Sequence, residues 1–213
     1  MARGLLITFE GPDGSGKSTQ LRLLSAWLKE EGYTVLTTRE PGGTPIGEAI
    51  RALLHDCSHT EMTPNAEILL YSASRAQLVS EVIRPALERG MYVLCDRYFD
   101  STYAYQGYGR GLPLETLRTI TEFAVGGLKP DLTIYLDISP EAGLARRTQG
   151  GEEMNRLDRE ALDFHKRVRA GYHSLASNEP ERWLMVDATG SVEVVQERLQ
   201  KLLCKFLTAA NQP

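Results

Sequence analysis

The run Gly11-Pro12-Asp13-Gly14-Ser15-Gly16-Lys17-Ser18 follows directly on the apolar stretch Leu5-Leu6-Ile7-Thr8-Phe9 and leads into a segment of helical period. It matches G-x-x-x-x-G-K-[ST], and a position between a predicted strand and a predicted helix is the context in which that pattern forms a phosphate-binding loop. Glycines let the backbone curl so that successive N–H groups point inward at phosphate oxygens, and the helix N-terminus adds partial positive charge. Lys17 is expected to reach the β- and γ-phosphates and the Ser18 hydroxyl to coordinate Mg²⁺. Gly11, Pro12, Asp13, Gly14, Ser15, Gly16, Lys17, Ser18 and Thr19 together form the expected ATP-binding set.

The remainder of the chain repeats a strand-then-helix rhythm. Apolar, β-branched runs recur at Leu5 to Phe9, Thr34 to Thr38, Tyr92 to Cys95, Leu132 to Leu136 and Trp183 to Val186. Amphipathic stretches separate them, such as Leu21, Leu24, Ala26 and Leu28 after the first run, and Leu69, Ala73, Ala76 and Val82 before the third. Continuous apolar runs read as strands buried on both faces, and their alternation with helices predicts an α/β fold of the P-loop NTPase kind, a five-stranded parallel sheet with helices on both faces. Two regions break the rhythm: Thr44 to Pro64, with a short helix over Ile46 to His55, and the polar excursion Gln149 to Asn155. With 213 residues, 42% hydrophobic, and neither internal repeat nor long linker, residues 1–213 are expected to form a single domain.

Charge and cysteines exclude several classes. A net charge of −4 argues against a bulk electrostatic grip on nucleic acid or an anionic membrane. Cys57, Cys95 and Cys204 form no C-x-x-C pair, and no apolar run reaches the length of a membrane span or a signal segment, so a reducing cytoplasm is the expected setting.

A phosphate loop leaves the reaction open. Asn155-Arg156-Leu157-Asp158 mimics the guanine-reading N-K-x-D but lacks the lysine, and Asp187-Ala188-Thr189-Gly190 matches D-x-x-G after the last strand, too late to be a switch segment. A small-molecule kinase needs instead a second anion site and a lid that excludes water. Asp96, which ends the third apolar run, is the expected magnesium partner of Ser18, and Arg97 follows it immediately. The second site is assembled from segments that follow strand ends, where ligands of open α/β sheets collect: Arg39-Glu40-Pro41-Gly42-Gly43-Thr44 and the stretch from Asp96 to Gln106, which contains Arg97, Ser101, Thr102, Tyr103 and Tyr105. Between them Tyr71, Ser72, Arg75 and Gln77 sit at helical spacing, with Tyr71 and Arg75 on one face. Aromatic rings beside arginines and short hydroxyls suit a nucleobase and a phosphate. None of His55, His59, His165 and His173 is expected to act, because a phosphate monoester with a second pKa near 6 needs no dedicated base at neutral pH.

At these residues the chain resembles the thymidylate kinase family. The acidic third residue of the loop, Arg39 to Thr44, Tyr71-Ser72-Ala73-Ser74-Arg75, and Asp96-Arg97-Tyr98 with Ser101 and Ala104-Tyr105-Gln106 all look like that family's motifs. The resemblance implies Mg²⁺-dependent phosphoryl transfer from ATP to dTMP, giving ADP and dTDP for dTTP synthesis, by a cytoplasmic homodimer. It implies that Tyr71 stacks on thymine, that Arg75 and Thr102 contact the base, and that Asp13 lies near the acceptor 3′-hydroxyl. By the same resemblance Tyr105 disfavours a ribose 2′-hydroxyl and Arg97 holds phosphates of both substrates. Arg39, Ser101 and Gln106 complete the expected dTMP set. Two rivals stay open: a deoxynucleoside kinase, for which Glu40 would be the base, and a nucleotide-dependent ATPase or interaction protein.

One branch of the family carries a basic residue in the loop next to the acidic one, where this chain has Gly14. Charge on the transferred group must then be met from elsewhere. The excursion at Gln149 to Asn155 is bracketed by Arg146, Arg147 and Arg156, the density expected of a bacterial-type lid spanning about residues 146–158. Lys17, Arg97, Asp13, Arg147 and Arg156 are the expected catalytic set, with Arg156 the first choice among the lid arginines.

Overall fold

A computed structural model describes residues 3–149 and 155–210; the middle of the expected lid, 150–154, lies outside the described residues. Five strands, β1 (Leu6–Glu10), β2 (Val35–Arg39), β3 (Tyr92–Asp96), β4 (Leu132–Asp137) and β5 (Trp183–Asp187), form one sheet in the order β2-β3-β1-β4-β5. All pairings are parallel. Each expected strand is present and runs one residue further, to a charged side chain: Glu10, Arg39, Asp96, Asp137 or Asp187. Parallel strands end together, so these charges collect along one rim of the sheet, with Phe9 and Arg39 both in register with Asp96.

Burial on both faces holds for β1, β3 and β4 but not for β2 and β5. The last two are the sheet edges, and in β2 (VLTTR) only Val35 is buried, with half-buried Leu36 and Thr38 alternating with exposed Thr37 and Arg39.

On one face Ile7 and Phe9 pack with Leu24 and Leu28 of α1 (Lys17–Glu30) and Leu199 and Leu203 of α9 (Val192–Ala210). The other face holds two clusters. In one, Leu6, Val93 and Cys95 meet Leu78 of α3 (Pro64–Leu78) and Leu87 of α4 (Arg84–Glu88). In the other, Tyr135 and Trp183 meet Phe164, Val168 and Tyr172 of α8 (Leu162–Asn178). Side chains alternate along a strand, so Glu10 falls on the same face as Leu6 and Thr8 and is carried under the sheet's covering helices, fully buried.

The expected short helix is α2 (Pro45–His55), started by Pro45 and capped by Thr44, whose Oγ1 accepts from the Gly47 amide at 2.9 Å. Thr63 and Pro64 start α3 in the same way. Between α3 and α4 the helix widens into a π turn, Val79–Ile83, which ends two residues before Pro85, a residue with no N–H to donate to the preceding turn. A second π segment, Tyr103–Gly109, follows the single turn α5 (Phe99–Thr102) and precedes α6 (Leu114–Val125).

The phosphate loop is pinned from the side by α7 (Pro140–Gln149). Gly14, at φ +76°, lies so close to Gly143 that a Cβ on Gly14 would stand 2.0 Å from the Gly143 carbonyl oxygen, and a Cβ on Gly143 2.5 Å from that of Asp13. No side chain fits at Gly14 without displacing α7, which explains physically why this loop carries no basic residue there. Gly143→Ala, whose clash is with backbone, is expected to destabilise the fold by about 1–3 kcal/mol, read as a lowered midpoint in urea unfolding.

Candidate active site

A cleft of about 1240 Å³ opens at the rim where the strands end. Its floor is the phosphate loop. Lys17 is curled inward, donating from Nζ to the carbonyls of Gly11 at 3.1 Å and Pro12 at 2.9 Å. Ser18 Oγ donates to Asp96 Oδ2 at 2.6 Å. A hydroxyl and a carboxylate so placed are the oxygen donors a hard divalent cation such as Mg²⁺ takes.

Arg97 follows Asp96 at φ +70°, the left-handed region that a non-glycine residue rarely occupies. That turn throws its guanidinium into the cleft. One terminal nitrogen donates to Asp13 Oδ1 at 2.8 Å and Tyr105 Oη at 3.2 Å, the other to Ser101 Oγ at 3.2 Å and Tyr172 Oη at 3.4 Å. Burial pushes the Asp13 carboxyl up, but Arg97, Lys17 and Arg147 outweigh it and hold the group well below the usual carboxylate range. Behind Arg97, Glu10 accepts from the Tyr98 amide at 2.8 Å, Ser101 Oγ at 2.5 Å and Tyr172 Oη at 2.8 Å. Burial, and then the nearby Asp100, raise Glu10 to about 7.

The far wall comes from α3 and the segment after β3. Tyr71 and Arg75 line the cleft one helical turn apart. Arg75 is 1% exposed. Its Nε and one terminal nitrogen meet Glu40 Oε2 at 2.8 and 2.6 Å, and the other terminal nitrogen donates to Thr102 Oγ1 at 3.1 Å. Glu40 is thus spent on Arg75. Ser101, Tyr105, Gln106 and Arg39 also line the cleft, while Ser72 and Gln77 do not. Gln77 donates to the exposed Glu81, and Tyr103 turns to Phe99 in the core.

The lid arginines separate. Arg147 meets Asp158 at 2.9 Å and Asp13 at 3.5 Å. Arg146 donates to the Ala188 carbonyl at 3.0 Å and lines the cleft. Arg156, the first choice from sequence, lies against Glu67 and the Leu54 carbonyl, away from the phosphate loop. Glu67 also receives Gln106 and Arg110.

The family model of thymidylate kinase matches residues 9–199. The chain belongs to the thymidylate kinase family. It is 54% identical to the thymidylate kinase of Roseiflexus castenholzii over 98% of this chain and 96% of that one. It is 56% identical to that of Deinococcus radiodurans, over 89% and 91% respectively. The crystal structure of thymidylate kinase from Ehrlichia chaffeensis superposes with a TM-score of 0.78 at 32% identity, covering 95% of this chain and 99% of that one. The family is that of an ATP-dependent kinase that converts dTMP to dTDP.

Against this thymidylate kinase fold the two motif mimics become ordinary turns. Asn155 Oδ1 accepts from the amides of Leu157 and Asp158, and Asp187 Oδ1 from the amide and hydroxyl of Thr189. Sequence reasoning did not single out Arg51 and set His55 aside, and α2 brings both to the cleft. Burial, and then Arg51, lower His55 to about 4, so it enters neutral at physiological pH. It also missed Glu10 and Glu67, although Glu10 ends β1 one residue before the loop. A carboxylate at that point of a buried strand is the available signal.

Glu10 makes stability depend on pH. Its folded pKa of about 7 lies above the ordinary 4.5, so the native state binds the extra proton between those values and loses stability as pH rises through them. The unfolding free energy of the native chain minus that of Glu10→Gln is expected to fall between pH 5 and pH 8. A difference that stays constant in urea titrations across that range contradicts the assignment.

Proposed function

We propose that this cleft holds ATP over the phosphate loop and dTMP against α3, and transfers the γ-phosphoryl group between them. The observation that carries this is the convergence of Lys17, Ser18, Asp96 and Arg97 with Tyr71 and Arg75 around one cavity. An oxygen of the dTMP phosphate attacks the γ-phosphorus, the bond to the β,γ-bridging oxygen breaks, and ADP leaves with that oxygen. The attacking oxygen is largely deprotonated at neutral pH, so positioning and charge neutralisation suffice.

Ser18 and Asp96 would hold Mg²⁺, which when bound neutralises charge on the donor phosphates. Lys17 leaves the loop carbonyls for the β- and γ-phosphates. Arg97 spans both substrates, with Arg39 and Arg51 extending the acceptor-phosphate side. Tyr71 stacks on the base, Arg75 and Thr102 bind its edge, and Asp13 and Tyr105 face the sugar. The deoxynucleoside kinase alternative loses its base, because Glu40 is paired with Arg75.

One sheet and its helical layers supply every group named here, which supports reading residues 1–213 as one kinase domain with a lid at about 146–158. Ile46 and Leu53 on α2, Leu69 on α3 and Phe123 on α6, the last 93% exposed, are apolar side chains left on packed neighbouring helices, which supports a homodimer formed through that face. No helix among the described residues is long and apolar enough to cross a membrane, and three cysteines without a C-x-x-C pair suit a cytoplasmic enzyme.

Among the lid arginines, Arg147 takes the catalytic role and Arg156 an anchoring one. Arg147→Ala is expected to lower kcat at least tenfold with little change in KM for dTMP, and Arg156→Ala to lower kcat less. The reverse order in steady-state kinetics returns Arg156 to the transferred group. Tyr71→Ala is expected to raise KM for dTMP more than KM for ATP, by the about 1–3 kcal/mol that stacking on a base contributes. An unchanged KM for dTMP would place Tyr71 outside the acceptor site.

A further inference from the structure

A glutamine amide presents either a donor or an acceptor of nearly the same shape, and its surroundings decide which. Gln106, in the second π segment, is 2% exposed and lines the cleft. Its Nε2 donates to Glu67 Oε1 at 2.8 Å. Glu67 is fully buried on α3, one helical turn before Tyr71. Arg110 reaches its two oxygens at 2.9 and 3.0 Å, and Arg156 joins them. Burial works to raise the Glu67 pKa, but hydrogen bonds from Arg110 and Gln106 outweigh it and hold the carboxyl below its ordinary range.

An ionised carboxylate only accepts hydrogen bonds, so the Gln106 amide nitrogen must face it. The atom left for the cleft is the carbonyl Oε1, for which the described residues supply no donor. On the same cleft Arg75, locked onto Glu40, can only donate. An acceptor and a donor together complement a pyrimidine edge with N3–H beside a 4-carbonyl. Cytosine presents the reverse, an N3 acceptor beside a 4-amino group, and sets like against like.

We infer that Glu67 sets the base specificity of this cleft by holding the Gln106 amide with its oxygen toward the acceptor base, so that a 4-oxo pyrimidine is taken and a 4-amino pyrimidine refused. Glu67 touches no substrate in this role and is a positioning residue. The inference rests on the reading of the cleft as a dTMP site.

The test compares kcat/KM for dTMP and for dCMP, with thermal midpoints, in the native enzyme, Glu67→Gln, Gln106→Met and the double variant. Glu67→Gln offers Gln106 an acceptor or a donor, frees the amide to turn, and is expected to lower the dTMP to dCMP preference about tenfold, the scale of one hydrogen bond to a base edge. Gln106→Met is expected to raise KM for dTMP more than it lowers kcat and to reduce the preference similarly. The double variant is expected to lose no more preference than Gln106→Met alone, a non-additivity that a merely structural Glu67 would not produce. If Gln106→Met leaves both KM for dTMP and the preference unchanged, the placement of the base fails, and the acceptor-site reading with it. If Gln106→Met shifts the preference while Glu67→Gln keeps the native ratio, the role of Glu67 is overturned and the acceptor site stands. Should Glu67→Gln not fold, Glu67→Asp keeps the charge for Arg110 and Arg156 while withdrawing the carboxylate from Gln106 by one methylene. A native preference in that variant overturns the inference equally.

Discussion

The ion pair between Arg97 and Asp13, 2.8 Å across the mouth of the phosphate loop, is the interaction on which the cleft depends. It joins the end of β3 to the loop after β1 and sets the floor that both substrates would share. The pair needs a left-handed backbone at Arg97, an arrangement that surrounding contacts must over-determine if it is to persist. Those contacts are present: the Tyr105 ring lies 5.1 Å from the guanidinium carbon, and Ser101 and Tyr172 relay the far side of the group to Glu10. Arg97 thus sits between a carboxylate in front and another behind.

The same device recurs around the cavity and resolves an apparent conflict with composition. A chain of net charge −4 builds an arginine-lined cleft by giving most of its arginines a carboxylate within reach, Glu40 for Arg75, Glu48 for Arg39 and Asp158 for Arg147, and Glu67 likewise pairs with Arg110 and Arg156, which do not line it. Most of these acids are buried, where removing one partner of an ion pair typically costs about 3–5 kcal/mol. The acids therefore hold each guanidinium in one orientation before any phosphate arrives, which lowers the ordering cost of binding. Net charge described the whole surface and was silent on this local arrangement.

Gly14 joins the sequence argument to the packing argument. From the sequence alone, its lack of charge pointed to arginines elsewhere. In the fold, the Gly143 carbonyl occupies the space a side chain there would need. The helix that fills this space is α7, and α7 also carries Arg146 and Arg147 to the cleft. An uncharged loop position and two arginines delivered to the cleft by α7 thus go with one close approach.

Much of this was legible in the order of residues. The phosphate loop, the five strands, the short helix α2, the Asp96-Arg97 step and the Tyr71 and Arg75 spacing are local: each depends on neighbours within a turn or a strand, so periodicity and motif reveal them. The rest was set by distance in space. The partner of Arg156 could not be read along the chain, because it is Glu67, 89 residues away. Glu10 and Glu67 escaped notice because a lone carboxylate has no periodic signature, and its meaning comes from the donors that packing brings to it. The half-exposed edges of the sheet were likewise hidden, since strand order is a property of pairing. The sequence by itself determined which chemistry the loop supports, because backbone curl and helix start are short-range properties. Only the tertiary structure decided which charged groups face one another, because electrostatic pairing in a buried cleft depends on position to within an ångström or so and is blind to separation along the chain.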